Sequence, residues 1–348
     1  MLTKKQVEEI KEHLDKAQNP IFFFDNDQDG LCSFIILQKY CGKGKGVQIK
    51  SYPSMNKDYI RKVNELNADY IFIVDKPVIE KDFFDEVEKV NIPIVWIDHH
   101  EVQVEVPSFV HYYNVTLNKK KTSEPVTHLC YQISGRKEDL WLDIVGCTSD
   151  KFLSENYEEF KKTFPELSID SEEPFDILYK SQIGKVVKIL GFALKDTTTN
   201  VVNMLKFLIK AKGPYDILSE SQGNAAINRR FLQIEKKYER LLDKAKAVAD
   251  KSEKILFFQY GGDLSISAEL SNELIYTFPE KIVIVARVNG SIASLSARGK
   301  DIREIVSKAL EGISDSRSGG HESAVGGQMK TEDIERFKIN VEKILNSS

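Results

Sequence analysis

Among its 348 residues the chain has only four cysteines, six histidines and two tryptophans. Cys32, Cys41, Cys130 and Cys147 show no paired spacing. That argues against a zinc ribbon or a disulfide framework and predicts free thiols buried as small hydrophobes in a reducing, cytoplasmic setting. No uncharged stretch of about 18 residues is present, so no membrane-spanning helix is expected. The N-terminus leads into an amphipathic helix with Val7, Ile10, Leu14 and Ala17 at helical spacing, and lacks the apolar core of a signal peptide. Neither sign of charge dominates: 49 Lys and Arg face 53 Asp and Glu, a net charge of −4. A global polycation is thereby excluded, whereas a local basic groove for nucleic acid is not. Gly42-Lys43-Gly44-Lys45-Gly46 lacks the spacing of a phosphate-binding P-loop and reads as a helix-to-strand turn. Lys119-Lys120-Lys121 reads as a solvated loop, and His13, His111 and His128 have no ligand-like company in the sequence.

What is present is an alternation of short apolar runs and helical patterns. Strands are expected over 20–25, 47–52, 69–75 and 92–97, and helices over 31–41, 57–66 and 79–89. This rhythm predicts an α/β fold with a three-layer, mostly parallel N-terminal sheet. Two helices follow over 124–147, and 155–220 reads as mainly helical. A long helix over 224–251 carries Ile227, Phe231, Ile234, Tyr238, Leu241, Ala245 and Val248 as a heptad seam. Such a seam forms either a coiled-coil homodimer or a rigid helix packed on its own chain, and its span of about three heptads favours the second. A smaller α/β domain begins at Lys254, with strands over 255–260, 281–288 and 291–297 and helices over 266–277, 301–311 and 331–345. The expected domains are 1–190, a helical connecting region 191–252, and 253–348.

Three apolar runs of the N-terminal half end in groups that bind metals. Ile21–Phe24 runs into Asp25-Asn26-Asp27-Gln28-Asp29-Gly30, Tyr70–Val74 into Asp75, and Ile92–Ile97 into Asp98-His99-His100. Carboxylates and imidazoles at the carboxyl ends of parallel strands lie where open α/β sheets place their chemistry. An EF-hand is excluded, because the twelfth position counted from Asp25 is Ile36 rather than Glu and the flanks read strand-to-helix. Mixed imidazole and carboxylate ligands suit Mn²⁺ or Zn²⁺. Two divalent cations about 3.5–4 Å apart would activate a water and stabilise the oxygens of a phosphoryl displacement.

The order Asp-x-Asp-x-Asp-Gly, strand-Asp, strand-Asp-His-His and then Gly146-x-x-x-Asp150 resembles the DHH phosphoesterase superfamily. A second signature supports the resemblance. Ser318-Gly319-Gly320-His321-Glu322-Ser323-Ala324-Val325-Gly326 is similar to the Gly-Gly-Gly-His-x-x-Ala-Ala-Gly segment of the domain that commonly follows the DHH domain, and Ser296-Ala297-Arg298 to its Ser-x-Arg strand. Ser318 and Val325 depart from that pattern by small changes. Phe23 stands where many members carry a histidine, so either Asp25 takes its place or the first cation has fewer protein ligands.

The resemblance implies that Asp27, Asp75 and Asp25 hold a first metal and that Asp29, Asp75, His99 and Asp150 hold a second, with Asp75 bridging. It implies that Asp98 orients His99, that His100 faces the substrate phosphate, and that Ser296 and Arg298 on the Ser-x-Arg strand and Gly319, Gly320 and His321 on a glycine-rich loop contact the substrate, in a cleft between domains. The metals would be two Mn²⁺, or Mg²⁺. The first motif looks more like the RecJ-type branch than the oligoribonuclease branch, in which a proline precedes the Asp-x-Asp pair. The implied activity is therefore exonuclease cleavage of single-stranded DNA or RNA or of short oligonucleotides, with a replication or repair partner. The rival readings are a phosphodiesterase for cyclic dinucleotides or dinucleotides and a non-catalytic replisome or repair scaffold.

Overall fold

Residues 1–50, 54–249 and 254–347 are described by the computed structural model, apart from the side chains of His321 and Ser347. The expected strand over 47–52 and the expected helix over 224–251 run at their ends into residues 51–53 and 250–253, which lie outside the described residues. The chain divides into two compact units, Met1–Phe231 and Leu232–Ser348.

In the first unit, β1 (Pro20–Asp25), β2 (Lys45–Ile49), β3 (Tyr70–Val74), β4 (Ile94–Asp98) and β5 (Val110–Asn114) form one sheet in the order β2-β1-β3-β4-β5, parallel throughout. The helices of this unit are α1 (Lys4–Lys16), α2 (Gln28–Cys41), α3 (Ile60–Glu65), α4 (Lys81–Val90), α5 (Val126–Ser134), α6 (Leu140–Ser149), α7 (Tyr157–Thr163), α8 (Pro174–Lys180), α9 (Gln182–Ala193), α10 (Thr198–Lys210) and α11 (Tyr215–Leu218). β1 is apolar without alternation because both of its faces are covered. Phe22 and Phe24 meet Phe34 of α2 at ring-centroid distances of 5.5 and 5.3 Å. Phe23 points the other way and packs edge-on against Tyr59 and Phe83 at 5.9 and 6.0 Å. Phe23 is therefore a core residue of the opposite layer.

The chain leaves β1 toward β2 on one side and returns to β3 on the other. The strand order thus reverses at β1, and the crevice beyond the carboxyl ends of β1 and β3 is where this topology leaves room for a ligand. Gly30 holds the first turn of α2 tightly against β1: a Cβ there would lie 2.6 Å from the Asp25 carbonyl oxygen. Only glycine permits that approach.

A long helix, α12 (Ala225–Ala249), crosses from one unit to the other. Its inner face is buried on its own chain at Ile227, Phe231, Ile234, Tyr238, Leu242, Ala245 and Ala249. Past Tyr238 the buried stripe departs from the expected heptad positions Leu241 and Val248, as a straight helix of 3.6 residues per turn must. The second unit adds β6 (Ile255–Gly261), α13 (Ser267–Thr277), β7 (Ile282–Asn289), β8 (Ile292–Arg298), α14 (Ile302–Leu310), β9 (Arg317–His321), β10 (Ala324–Lys330) and α15 (Ile334–Ser347). Its sheet order is β6-β7-β8-β10-β9, with β6 and β7 parallel and the rest antiparallel. Leu295, Ala297, Val325 and Met329 form one core with Val306, Leu310, Phe337 and Val341 of the helices.

The glycine-rich segment over 318–321 is a correction to the expected loop. It is the edge strand β9, followed by a turn at Glu322-Ser323 into β10. The alternating burial of Val325 and Met329 holds that hairpin on the core.

Candidate functional site

The carboxyl ends of β1, β3 and β4 deliver their polar groups to one place. β1 ends in Asp25. Two residues on, Asp27 is the N-cap of α2, its Oδ1 accepting the Gly30 N–H at 3.0 Å. Asp29, in the first turn of α2, is fully buried. Its two oxygens accept the backbone N–H groups of Val126 (2.9 Å) and Thr127 (2.7 Å), which open α5. Asp29 thus neutralises the positive end of a second helix while facing the site.

Asp75 follows β3, buried, with a left-handed backbone at φ 59°. Such a conformation is costly outside glycine and persists where the surroundings enforce it. Here the Asp75 N–H donates to the Ile97 carbonyl at 3.0 Å, and the Trp96 indole N–H donates to the Lys76 carbonyl at 3.0 Å. Both bonds tie the bend to β4.

His99 and His100 follow β4 directly and have opposite environments. His99 Nε2 lies 3.5 Å from Asp75 Oδ1, 3.6 Å from Asp150 Oδ2 and 4.0 Å from Asp29 Oδ2. Its Nδ1 is 3.4 Å from the Ser123 carbonyl. Burial lowers its pKa and keeps the imidazole neutral, the state a metal requires. His100 Nδ1 is 2.8 Å from Asp98 Oδ1. There burial opposes the charge, but the Asp98 hydrogen bond and the Asp98, Asp150 and Asp29 charges outweigh it and raise the pKa. Asp98 therefore orients His100, not His99 as the sequence reading expected. Asn114 at the end of β5 completes that mount, donating to the His100 carbonyl at 2.8 Å.

Two overlapping groups bring ligand atoms within 4.8 Å of one another: Asp75 with His99 and His100, and Asp29 with His99 and Asp150. Asp75 Oδ1 and His99 Nε2 are buried without a hydrogen-bond partner. Buried polar atoms left open in this way cost free energy, and a cation is what would satisfy both. The carboxylates also press on one another. Burial and the neighbouring Asp25 and Asp29 charges push Asp27 up to about 7, and burial with Asp29 and Asp27 raises Asp75 as well. This donor set fits a divalent cation.

Two of the expected ligands, Asp25 and Asp27, enter neither group. Asp27 Oδ1 caps α2 at the Gly30 N–H, and Asp25 Oδ1 accepts the Lys76 ammonium at 2.8 Å. Lys76 is 4 % exposed. The sequence reading missed Lys76, Ser123 and Asn114; the position of Lys76 directly after Asp75 was the one signal available. It also gave His128 no company, whereas His128 Nδ1 lies 2.8 Å from buried Asp143 Oδ1, with Cys147 Sγ at 3.4 Å from the same oxygen. Ser154 and Asn156 donate to the other Asp143 oxygen at 2.7 and 2.9 Å. That group is closed by its own hydrogen bonds and joins α5 to α6.

In the second unit, the register sets Ser296, Gly326 and Gly319 in one row across β8, β10 and β9, and Arg298, Ala324 and His321 in the next. Arg298 Nε donates to Asn272 Oδ1 of α13 at 2.6 Å. Gly319 and Gly320 are exposed. The side chain of His321 lies outside the described residues.

The model of the DHH family's N-terminal domain matches residues 21–148, and the model of the DHHA1 domain matches residues 252–347. No curated protein sequence matches the chain. Among solved structures it is similar to RecJ from Thermus thermophilus in complex with Mn²⁺, with a TM-score of 0.72 and 14 % identity over 99 % of this chain and 54 % of that one. The chain thus spans about half the length of that protein. It is also similar to an exonuclease RecJ bound to manganese, with a TM-score of 0.67 and 14 % identity over 98 % of this chain and 93 % of that one. A third likeness is CDC45 from Entamoeba histolytica, with a TM-score of 0.50 and 10 % identity over 97 % of this chain and 98 % of that one.

Proposed function

Because the chain belongs to the DHH family and carries a DHHA1 domain, we propose that it is a divalent-cation-dependent phosphodiesterase, a RecJ-like exonuclease acting on single-stranded DNA or RNA or on short oligonucleotides. The observation that carries this reading is the convergence of Asp29, Asp75, His99 and Asp150 around two buried, unpartnered ligand atoms, Asp75 Oδ1 and His99 Nε2. These four residues, with Asp27 beside them, would hold the cation, Mn²⁺ by the mixed donor set. A divalent ion there supplies Lewis acidity toward a phosphoryl oxygen and lowers the pKa of an attacking water.

The residues themselves do the rest. Asp98 and Asn114 fix His100, and the Asp98 hydrogen bond and acidic neighbours that raise its pKa favour the protonated ring, which would donate to a phosphate oxygen as charge builds. His99 stays neutral and acts as a ligand. Arg298 and the glycines of β9, whose backbone is open at the sheet edge, would take the phosphate or terminal nucleotide of the substrate. The cytoplasm and a replication or repair partner belong to the same proposal.

The test is release of mononucleotides, with Mn²⁺ present, from a long end-labelled single strand and from a trinucleotide, each as DNA and RNA, with His100→Ala alongside. Digestion of the long strand that is lost in the variant supports the exonuclease. Digestion of the trinucleotide alone reassigns the protein to clearing short oligonucleotides. If nothing is cut, the exonuclease reading is wrong, and the cyclic-dinucleotide and scaffold readings take its place.

A further inference from the structure

The two halves of the acidic cluster are not alike. On the His99 side, carboxylate and imidazole atoms face one another unpartnered. On the β1 side, Asp25 is already paired with a cation, the Lys76 ammonium, at 2.8 Å.

This pairing is built in from several directions. Lys76 is 4 % exposed, and the carboxylate its Nζ reaches is that of Asp25, so the two groups are buried as a pair. The left-handed bend at Asp75 separates the two adjacent side chains, so that Asp75 faces His99 while Lys76 reaches the end of β1. The Trp96 indole pins the Lys76 carbonyl, which fixes where the lysine starts. Phe23, the strand position that would have to add a ligand on this side, is turned into the aromatic core against Tyr59 and Phe83. Beyond the ion-paired Asp25, the β1 side therefore offers one carboxylate, Asp27, and a fixed positive charge that repels a further cation.

We propose that the Lys76 ammonium is a resident cation of this site, standing where a second divalent ion would otherwise be needed, so that the chain binds a single Mn²⁺ on Asp29, Asp75, His99 and Asp150. This rests on the cation reading above and reduces to one the two ions that the family resemblance implies. The role of Lys76 is electrostatic: it places a cationic group against Asp25 that, being part of the chain, neither exchanges nor dissociates.

The experiment counts ions rather than turnover. The full chain is stripped with chelator, equilibrated with Mn²⁺, and its bound Mn²⁺ measured by equilibrium dialysis, with electron paramagnetic resonance of the same samples. The wild type is expected to bind one Mn²⁺ per chain and to give the six-line signal of an isolated ion. Lys76→Thr, which frees Asp25, is expected to bind two and to give the broadened signal of a coupled pair, while Lys76→Arg stays at one. Two ions on the wild type overturn the proposal, as does a folded Lys76→Thr that still binds one. Should Lys76→Thr fail to fold, the wild-type stoichiometry and spectrum decide alone. No Mn²⁺ on any of the three proteins overturns the cation reading itself, an outcome distinct from a count of two.

Discussion

Asp75 occupies a position that costs the fold stability. It is buried among like charges, has an open carboxylate oxygen, and adopts a left-handed backbone. Burial and its acidic neighbours raise its pKa. A carboxylate whose folded pKa exceeds its unfolded one weakens the fold as pH rises above the ordinary carboxylate range. Asp75→Asn removes that charge and keeps a residue tolerant of the left-handed region. The variant is expected to lose activity and yet to melt higher than the wild type in chelator at neutral pH, by about 2–4 °C for each kcal/mol gained. Thermal melts with and without Mn²⁺ check this, and the advantage should disappear when Mn²⁺ is added. At this scale the sequence was informative where a residue type is rare. Two of six histidines fall together behind an apolar run, and Asp98-His99-His100 was legible on that ground. Which imidazole Asp98 serves was not, because it depends on how the chain turns after β4. Lys76 was illegible for a related reason: one lysine among the chain's many basic residues becomes notable only when a bend buries it against Asp25.

Between elements, close approaches and hydrogen bonds carry the constraint. The first turn of α2 sits so near β1 that Gly30→Ala would force a Cβ to within 2.6 Å of a carbonyl oxygen. Overpacking of this kind costs about 1–3 kcal/mol, and the backbone shift that relieves it moves Asp27 and Asp29 together. Gly30→Ala is therefore expected to lower both the urea midpoint and the affinity for Mn²⁺, measured by denaturation and by titration of the metal.

A second tie, His128 with Asp143, joins α5 to α6. Burial opposes the charge on His128, but the Asp143 hydrogen bond and charge prevail and raise its pKa. Because the folded pKa lies above the unfolded one, the stabilisation is fully present below about pH 6 and is lost as pH rises through the folded value. His128→Gln should thus cost about 1–3 kcal/mol in mildly acidic buffer and less in alkaline buffer, read from urea midpoints across pH. Most elements of both sheets were legible as apolar runs bounded by turn residues, as with β1, β3 and β4. β5 (Val-His-Tyr-Tyr-Asn) was missed because it is too polar and short to stand out. The β9–β10 hairpin was missed because glycines in a strand look like a loop; only its pairing with β8 makes it a strand.

For the molecule as a whole, the heptad seam of α12 poses the question of oligomeric state. Five of its seven positions, Ile227, Phe231, Ile234, Tyr238 and Ala245, are buried against the chain itself: Phe231 stacks near Phe192 at 6.0 Å, and the Tyr238 hydroxyl donates to Glu273 at 2.6 Å. A stripe already covered leaves little to drive a coiled coil. Sedimentation velocity at micromolar concentration is expected to give a single species with the mass of one chain. The mass of two would mean that another surface mediates assembly.

The position of the ligands along the chain has a consequence in time. Every residue of the candidate cation centre lies between Asp25 and Asp150, and the sheet that displays them closes at Asn114. The two rows that carry Ser296 and Arg298 with their β9 partners become complete only when the β10 strand, Ala324–Lys330, has been made. At a synthesis rate of about 5–20 residues per second, roughly 10–35 s separate the two events. On the proposed reading, a nascent chain would have the residues for its ion while the second sheet is still unmade, and the protein would be competent for metal before it has the surface we assign to substrate.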